Sequence, residues 1–197
     1  MQNEGTRRLW ATLLLLTVAG CGTARETFPP RTAQEQALIS TAADRAIIQL
    51  PSQGWTGKRV FLDVSNLECY DKPYVVARLR QHILSGFGTL AADKAGADMV
   101  LEVASGALSI DSRRFLLGIP SFGIPVPPMG TLNTPELALY KIISYRGRAK
   151  LIFSLSDART QRQVVEIPVC FGEVRDAYWW AILLGPFRCG NLPEEVM

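Results

Sequence analysis

The longest regular pattern in the chain runs from Leu137 to Leu155. Leu137, Leu139, Ile143, Tyr145, Ala149, Leu151, Phe153 and Leu155 fall on one parity, and Arg146, Arg148, Lys150, Ser154 and Ser156 fall on the other. A period of two sends successive side chains to opposite faces, so this stretch predicts a long strand with one wet face. The turn-forming run "DARTQRQ" follows, and "VVEIPV" predicts the returning partner of a hairpin. Shorter alternations at Val60, Leu62 and Val64, and at Leu101, Val103 and Ala107, predict two more strands, with "TLAAD" as a short one. Helical spacing appears twice. Leu38, Ala42, Ala46 and Leu50 follow Thr32 and Glu35, which match a capping box. Val75, Val76, Leu79, Ile83 and Phe87 form the inward stripe of a second helix, stopped by Gly86 and Gly88. The order predicts an α/β (α+β) domain. Its sheet is single, mixed or antiparallel, with two main helices on one face and a long C-terminal β-hairpin.

Before this domain the pattern changes. Arg7 and Arg8 precede an apolar run from Leu9 to Val18, then Ala19, Gly20 and Cys21. About ten apolar residues fall short of the roughly 20 that a membrane-spanning helix needs. A basic start, a short apolar run and a small-residue site make a secretory signal. "VAGC" further resembles the lipobox of bacterial lipoproteins. That resemblance implies cleavage at residue 20 and an acylated Cys21 as the membrane anchor, and Gly22 in place of aspartate implies the outer membrane, facing the periplasm. Residues 21–31 then read as a tether, and 32–197 as one periplasmic domain.

The turn "ADKAGADMVLEV", after strand, helix and short strand, loosely resembles the periplasmic domains of the curli-secretion lipoprotein and the TolB amino-terminal domain. It carries Ala92, Asp93, Ala95, Ala97 and Asp98. The first of these families implies an oligomeric secretion pore with two membrane-crossing hairpins per subunit, and no two such hairpins are identified in this sequence.

The formal charge of +3 includes the signal arginines and gives no case for nucleic acid. Catalysis finds little to build on. The single histidine, His82, sits at the edge of a helix stripe, where a surface role is commoner than a catalytic one. The cysteines show no C-x-x-C spacing for zinc, and no phosphate loop or other cofactor motif occurs. Asp63, Glu68 and Asp71 read as solvated loop acids. Once Cys21 is set aside three cysteines remain, and export permits a disulfide; Cys170 and Cys189 bracket one loop and are the expected pair.

Three stretches point to binding. Phe115 to Pro135 carries no charge, five prolines and three glycines. That many prolines exclude a membrane helix, and the stretch reads as a long loop. Its Phe115, Ile119, Phe122, Ile124, Val126 and Met129 either dock on a partner, a second copy or the membrane surface, or fold back over the core. The row Arg146, Arg148 and Lys150 either meets an anionic partner or keeps one strand face solvated. "AYWWAILLGPF" reads as a last segment covering the sheet, or as an aromatic anchor for a partner. The function expected is binding or scaffolding in an envelope assembly, without catalysis. The alternative is an oligomeric secretion or pore component.

Overall fold

The computed structural model describes residues 31–193 except Met129 and Leu183. The expected signal, Cys21 and the expected tether up to residue 30 lie outside the described residues, as does Met129. From Thr32 onward the chain forms a compact unit of its own.

Helix α1 (Ala33–Ile47) starts as the capping box demands. Glu35 N–H donates to Thr32 Oγ1 at 3.2 Å, and Thr32 N–H donates to Glu35 Oε2 at 2.9 Å. Strand β1 (Arg59–Asp63), helix α2 (Lys72–Ser85) and strand β2 (Thr89–Leu90) form a parallel unit, in which β1 pairs with β2. The remaining strands are β3 (Met99–Ile119), β4 (Gly123–Val126), β5 (Gly130–Asn133), β6 (Leu137–Asp157), β7 (Gln163–Val165), β8 (Cys170–Ala181) and β9 (Leu184–Gly190). The main sheet has seven strands in the order β2-β1-β3-β6-β8-β9, with β7 beside β6; β4 and β5 make a separate two-stranded ribbon. β3 pairs in parallel with β1, and the joins from β3 to β9 are antiparallel, so the fold is α+β with a mixed sheet.

Both helices cover one face of the sheet. Leu38, Ala42, Ala46 and Ile47 of α1 and Val75, Leu79 and Ile83 of α2 meet Leu101, Val103, Leu151, Phe153, Leu155 and Val174 in one core. Each fully buried Leu, Ile or Val there contributes about 1.5–3 kcal/mol. The two helices are clamped at Asp44, which accepts from Tyr74 Oη at 2.9 Å and from Arg78 Nε at 2.7 Å. Helix α1 lies so close to the sheet that two strand positions admit only glycine. A Cβ on Gly172 would sit 1.8 Å from the Ala42 carbonyl oxygen, and one on Gly147 would sit 2.5 Å from that of Leu38.

Several expectations are corrected. The span 115–135 is no loop: β3 runs through Ile119 against β6, and β4 and β5 carry the chain around the tip. Its apolar residues alternate with other apolar residues, so the sequence shows no period of two even though the backbone pairs as strand. "VVEIPV" supplies only a short partner, aligned with Leu155 and Ser156, and the long neighbour of β6 is β8. The Trp-rich segment is not a cover but strands β8 and β9 themselves. Phe87 does not point inward; it lies 79% exposed at a φ of 60°, just past the helix end.

Candidate functional site

Strands β3 and β6 are 21 residues long each, far longer than the body they leave. β1 pairs with β3 only as far as Glu102, and Asn66 and Glu68 touch it last, at Ser105. A bulge then follows between Ser105 and Ala107. Bulges bend a strand and raise its twist. Beyond it, β3, β6, β8 and β9 continue as a four-stranded antiparallel arm.

Cross-strand rows show how the arm changes along its length. Near the body, Ser109, Arg148 and Glu173 align, then Asp111, Arg146 and Arg175. Arg148 bridges Asp111 at 2.9 Å and Glu173 at 3.3 Å, and Arg146 reaches Glu173 at 3.4 Å. Lys150 lies over the Phe171 ring, its Nζ 5.6 Å from the centroid. Four residues further out on β3, the aligned row is Phe115, Ile142, Trp179 and Phe187, followed by Leu117, Tyr140, Ala181 and Leu184. Trp179 and Phe187 stack with centroids 4.6 Å apart, and Phe115 tilts against Tyr140 at 6.3 Å. From Phe115 to Tyr145 the only charges are Glu136 and Lys141. They neutralise one another at 2.6 Å, and Lys141 also lies 5.5 Å from the Trp180 ring centroid.

The end of the arm is an exposed apolar surface. Phe115, Leu117, Ile119, Phe122, Ile124, Leu132, Leu137, Leu139, Ile182 and Leu184 are all exposed. Val126 is half-buried in the β4–β5 ribbon. Phe122 and Thr134 tie the base of that ribbon, the Thr134 N–H donating to the Phe122 carbonyl at 2.9 Å. An apolar concavity of about 330 Å³ lies between Gly118, Ile119, Leu137, Ala138, Leu139 and Ile182. The structure therefore brings the five described apolar positions expected from the sequence onto one protrusion. The basic row lies below them, on the sheet face away from the helices.

Sequence reading missed Asp176. It is fully buried on the helix-side parity of β8, where it accepts from Arg188 Nε at 2.7 Å, Gln34 Nε2 at 2.8 Å and Tyr178 Oη at 3.0 Å. The cluster ties α1 to β8 and β9 at the root of the arm. A carboxylate falling on the apolar parity Cys170, Gly172, Val174 was the available signal. Burial raises the Tyr178 hydroxyl above its ordinary pKa, and the hydrogen bond to Asp176 adds to this.

The expected disulfide is corrected: Cys69, Cys170 and Cys189 are free. Cys170 opposes Leu151, whereas Cys189 opposes Ala177, seven positions along β8. At about 3.3 Å per residue that is about 23 Å of strand, and a disulfide needs Cα atoms within about 7 Å. Burial pushes the Cys69 and Cys170 thiols up, away from the reactive thiolate.

The other chemistry-bearing groups have structural work. His82 Nε2 donates to the Leu50 carbonyl at 2.7 Å, and its ring stands edge-on to buried Trp55. A polar cleft of about 400 Å³ includes Asp63, Lys94, Glu102 and Asp157. Asp63 accepts from Ser65, and Asp157 from the backbone of Arg159 and Thr160, hydrogen bonds that hold both carboxyls below their usual range. Glu102 accepts from Asn66 at 2.7 Å. Among the described residues, no group of three or more His, Cys, Asp or Glu is placed to hold a metal, and no helix is long and apolar enough to cross a membrane.

Residues 15–196, which include the whole body and arm, match one protein family. The chain belongs to the family of unknown function DUF6655. No curated protein and no solved structure matches this DUF6655 chain.

Proposed function

We propose that this chain is a cell-envelope protein, lipid-anchored through Cys21 at the outer membrane, whose work is binding and not catalysis. The observation that carries the reading is the arm: a rigid body presents an apolar, nearly charge-free surface at the end of long paired strands. Contiguous exposed apolar surface of this kind marks an interaction site. The carboxylates and the histidine that chemistry would use are engaged in capping and packing. The test is purification of the full-length protein from membranes in mild detergent, with wild type compared to Phe122→Asp/Ile124→Asp. A partner or a larger assembly retained by the wild type and lost by the variant is the expected result. Identical behaviour of the two would remove the arm from function.

A second reading, an oligomeric pore component, is favoured by one feature. Among the described residues, β3 beyond Ser105 and β9 have no strand partner on their outer sides, and they run antiparallel to one another. Copies placed side by side would continue a single antiparallel ladder, which closes only as a ring. Light scattering of the detergent-extracted protein separates the readings. A large uniform homo-oligomer selects the pore, and a monomer or a mixed complex selects the accessory subunit.

A further inference from the structure

Resting on the binding role just proposed, we infer that the end of the arm inserts into one leaflet of a lipid bilayer with anionic headgroups. Three properties of the arm separate a lipid surface from a protein partner.

The first is that the apolar side chains occupy both faces. Phe115 and Leu117 are exposed on one face and Leu116, half-buried and opposite Lys141, lies on the other, with Leu137 and Leu139 exposed on the paired strand. A sheet that docks on a protein buries one face, whereas a hydrocarbon medium surrounds both.

The second is the order of chemistry along the arm. At the inner limit of the apolar end, Tyr140 shares a row with Leu117, Trp180 with Leu116 and Trp179 with Phe115, and Arg114 and Arg113 follow on β3. Aromatic rings with a polar edge settle at the boundary between hydrocarbon and headgroups. Below them, the carboxylates Asp111, Glu173 and Asp176 are each engaged by an arginine. Arg113, Arg114 and Arg175 carry no ion pair among the described residues, which leaves the band positively charged against anionic headgroups.

The third is the backbone. Unpaired N–H groups are costly in hydrocarbon, which limits how deep an open-edged sheet can go. The five prolines between Phe115 and Pro135 lie in the β4–β5 ribbon and its connections, where they lower the number of N–H donors at the tip. Depth agrees. Phe115 to Ile119 spans about 13 Å at the rise of a strand, against about 15 Å for half of a hydrocarbon core roughly 30 Å thick. The paired strands thus reach into one leaflet, and the unpaired edges of the sheet oppose a crossing.

The test uses the unit Thr32–Met197, which contains every core residue of the described chain and lacks Cys21, so that no acyl chain can supply the binding. It is floated with vesicles of phosphatidylethanolamine and phosphatidylglycerol. Wild type is expected to float, with Trp179 and Trp180 fluorescence blue-shifted and quenched by brominated lipid. Ile119→Asp/Ile124→Asp should weaken partitioning by about tenfold, with an unchanged thermal melt because both positions are exposed. Arg113→Ser/Arg114→Ser should flatten the dependence on salt and on phosphatidylglycerol. The inference is overturned if the folded wild type stays with the aqueous fraction, or if the aspartate variant floats as well as wild type. It is equally overturned if that variant only breaks up a soluble self-assembly, because the surface is then a protein interface. Loss of a co-purified partner from the arm variant, together with no vesicle binding by wild type, would leave the binding role standing and remove the lipid.

Discussion

The inner and outer halves of β3 and β6 are continuous strands with opposite fates. On the inner half, Leu101, Val103, Leu151, Phe153 and Leu155 are buried beneath two helices, while Glu102 and Lys150 face water. On the outer half, Leu117, Ile119, Leu137 and Leu139 are as apolar as those residues and remain exposed. Pairing is uninterrupted between the halves apart from the register shifts at Ser105/Ala107 and Leu117/Gly118. The difference is therefore one of coverage, not of strand formation. Backbone hydrogen bonds carry the ladder outward, but burial stabilises only the part that α1 and α2 reach.

The covered half is most vulnerable at the helix–sheet contact. Gly172→Val would drive a side chain into the Ala42 backbone. Because the obstacle is backbone, the cost should exceed the usual overpacking range, at about 4 kcal/mol, and thermal melting would read it as a large fall in Tm. Two truncations on the same parity of β6 sharpen the contrast directly. Leu151→Ala, at a fully buried site, should cost about 3 kcal/mol in urea denaturation. Leu139→Ala, at an exposed one, should stay within about 0.5 kcal/mol. Equal losses at the two positions would show that the arm is covered in solution.

Between these lies the root of the arm. Asp176→Ala leaves Arg188 facing a buried cluster without its carboxylate, at a cost of about 2–3 kcal/mol. Hydrogen exchange should speed up in β9 and the N-terminal turn of α1 before it does in β1. Uniform acceleration would mean that arm and body unfold as one unit.

The smallest effect belongs to the body surface. The Arg59 guanidinium and backbone N–H hold Asp98 down at about 2. A carboxyl lowered in the folded state adds stability above its unfolded pKa of about 3.9 and loses it as pH falls through the folded value. The contribution should therefore fade between about pH 4 and pH 2. The pair is exposed, so the slope is shallow, and Asp98→Asn should remove it from the pH dependence of the urea midpoint.

Much of the body was legible because its residues obey one period at a time. The capping box at Thr32 and Glu35 marks the start of α1, and the alternation of β6 marks a strand with one covered face. The arm was less legible because Phe115 to Pro135 has no polar parity, and apolar residues on both faces of a pleat read like a loop when prolines interrupt them. The pairing of Cys170 and Cys189 failed for a related reason. Closeness in sequence says nothing about strand register, and register places them far apart on β8.

Sequence alone set the helices and inner strands of the body, the α+β class and the charge-free stretch, since these follow from backbone propensity and hydrophobic period. Only the tertiary structure decided that β3 and β6 outrun their helices, that Asp176 locks the root, and that the apolar stretch ends exposed on an arm. Those outcomes depend on which strands pair and on where helix coverage stops, quantities set by contacts between residues far apart in the chain.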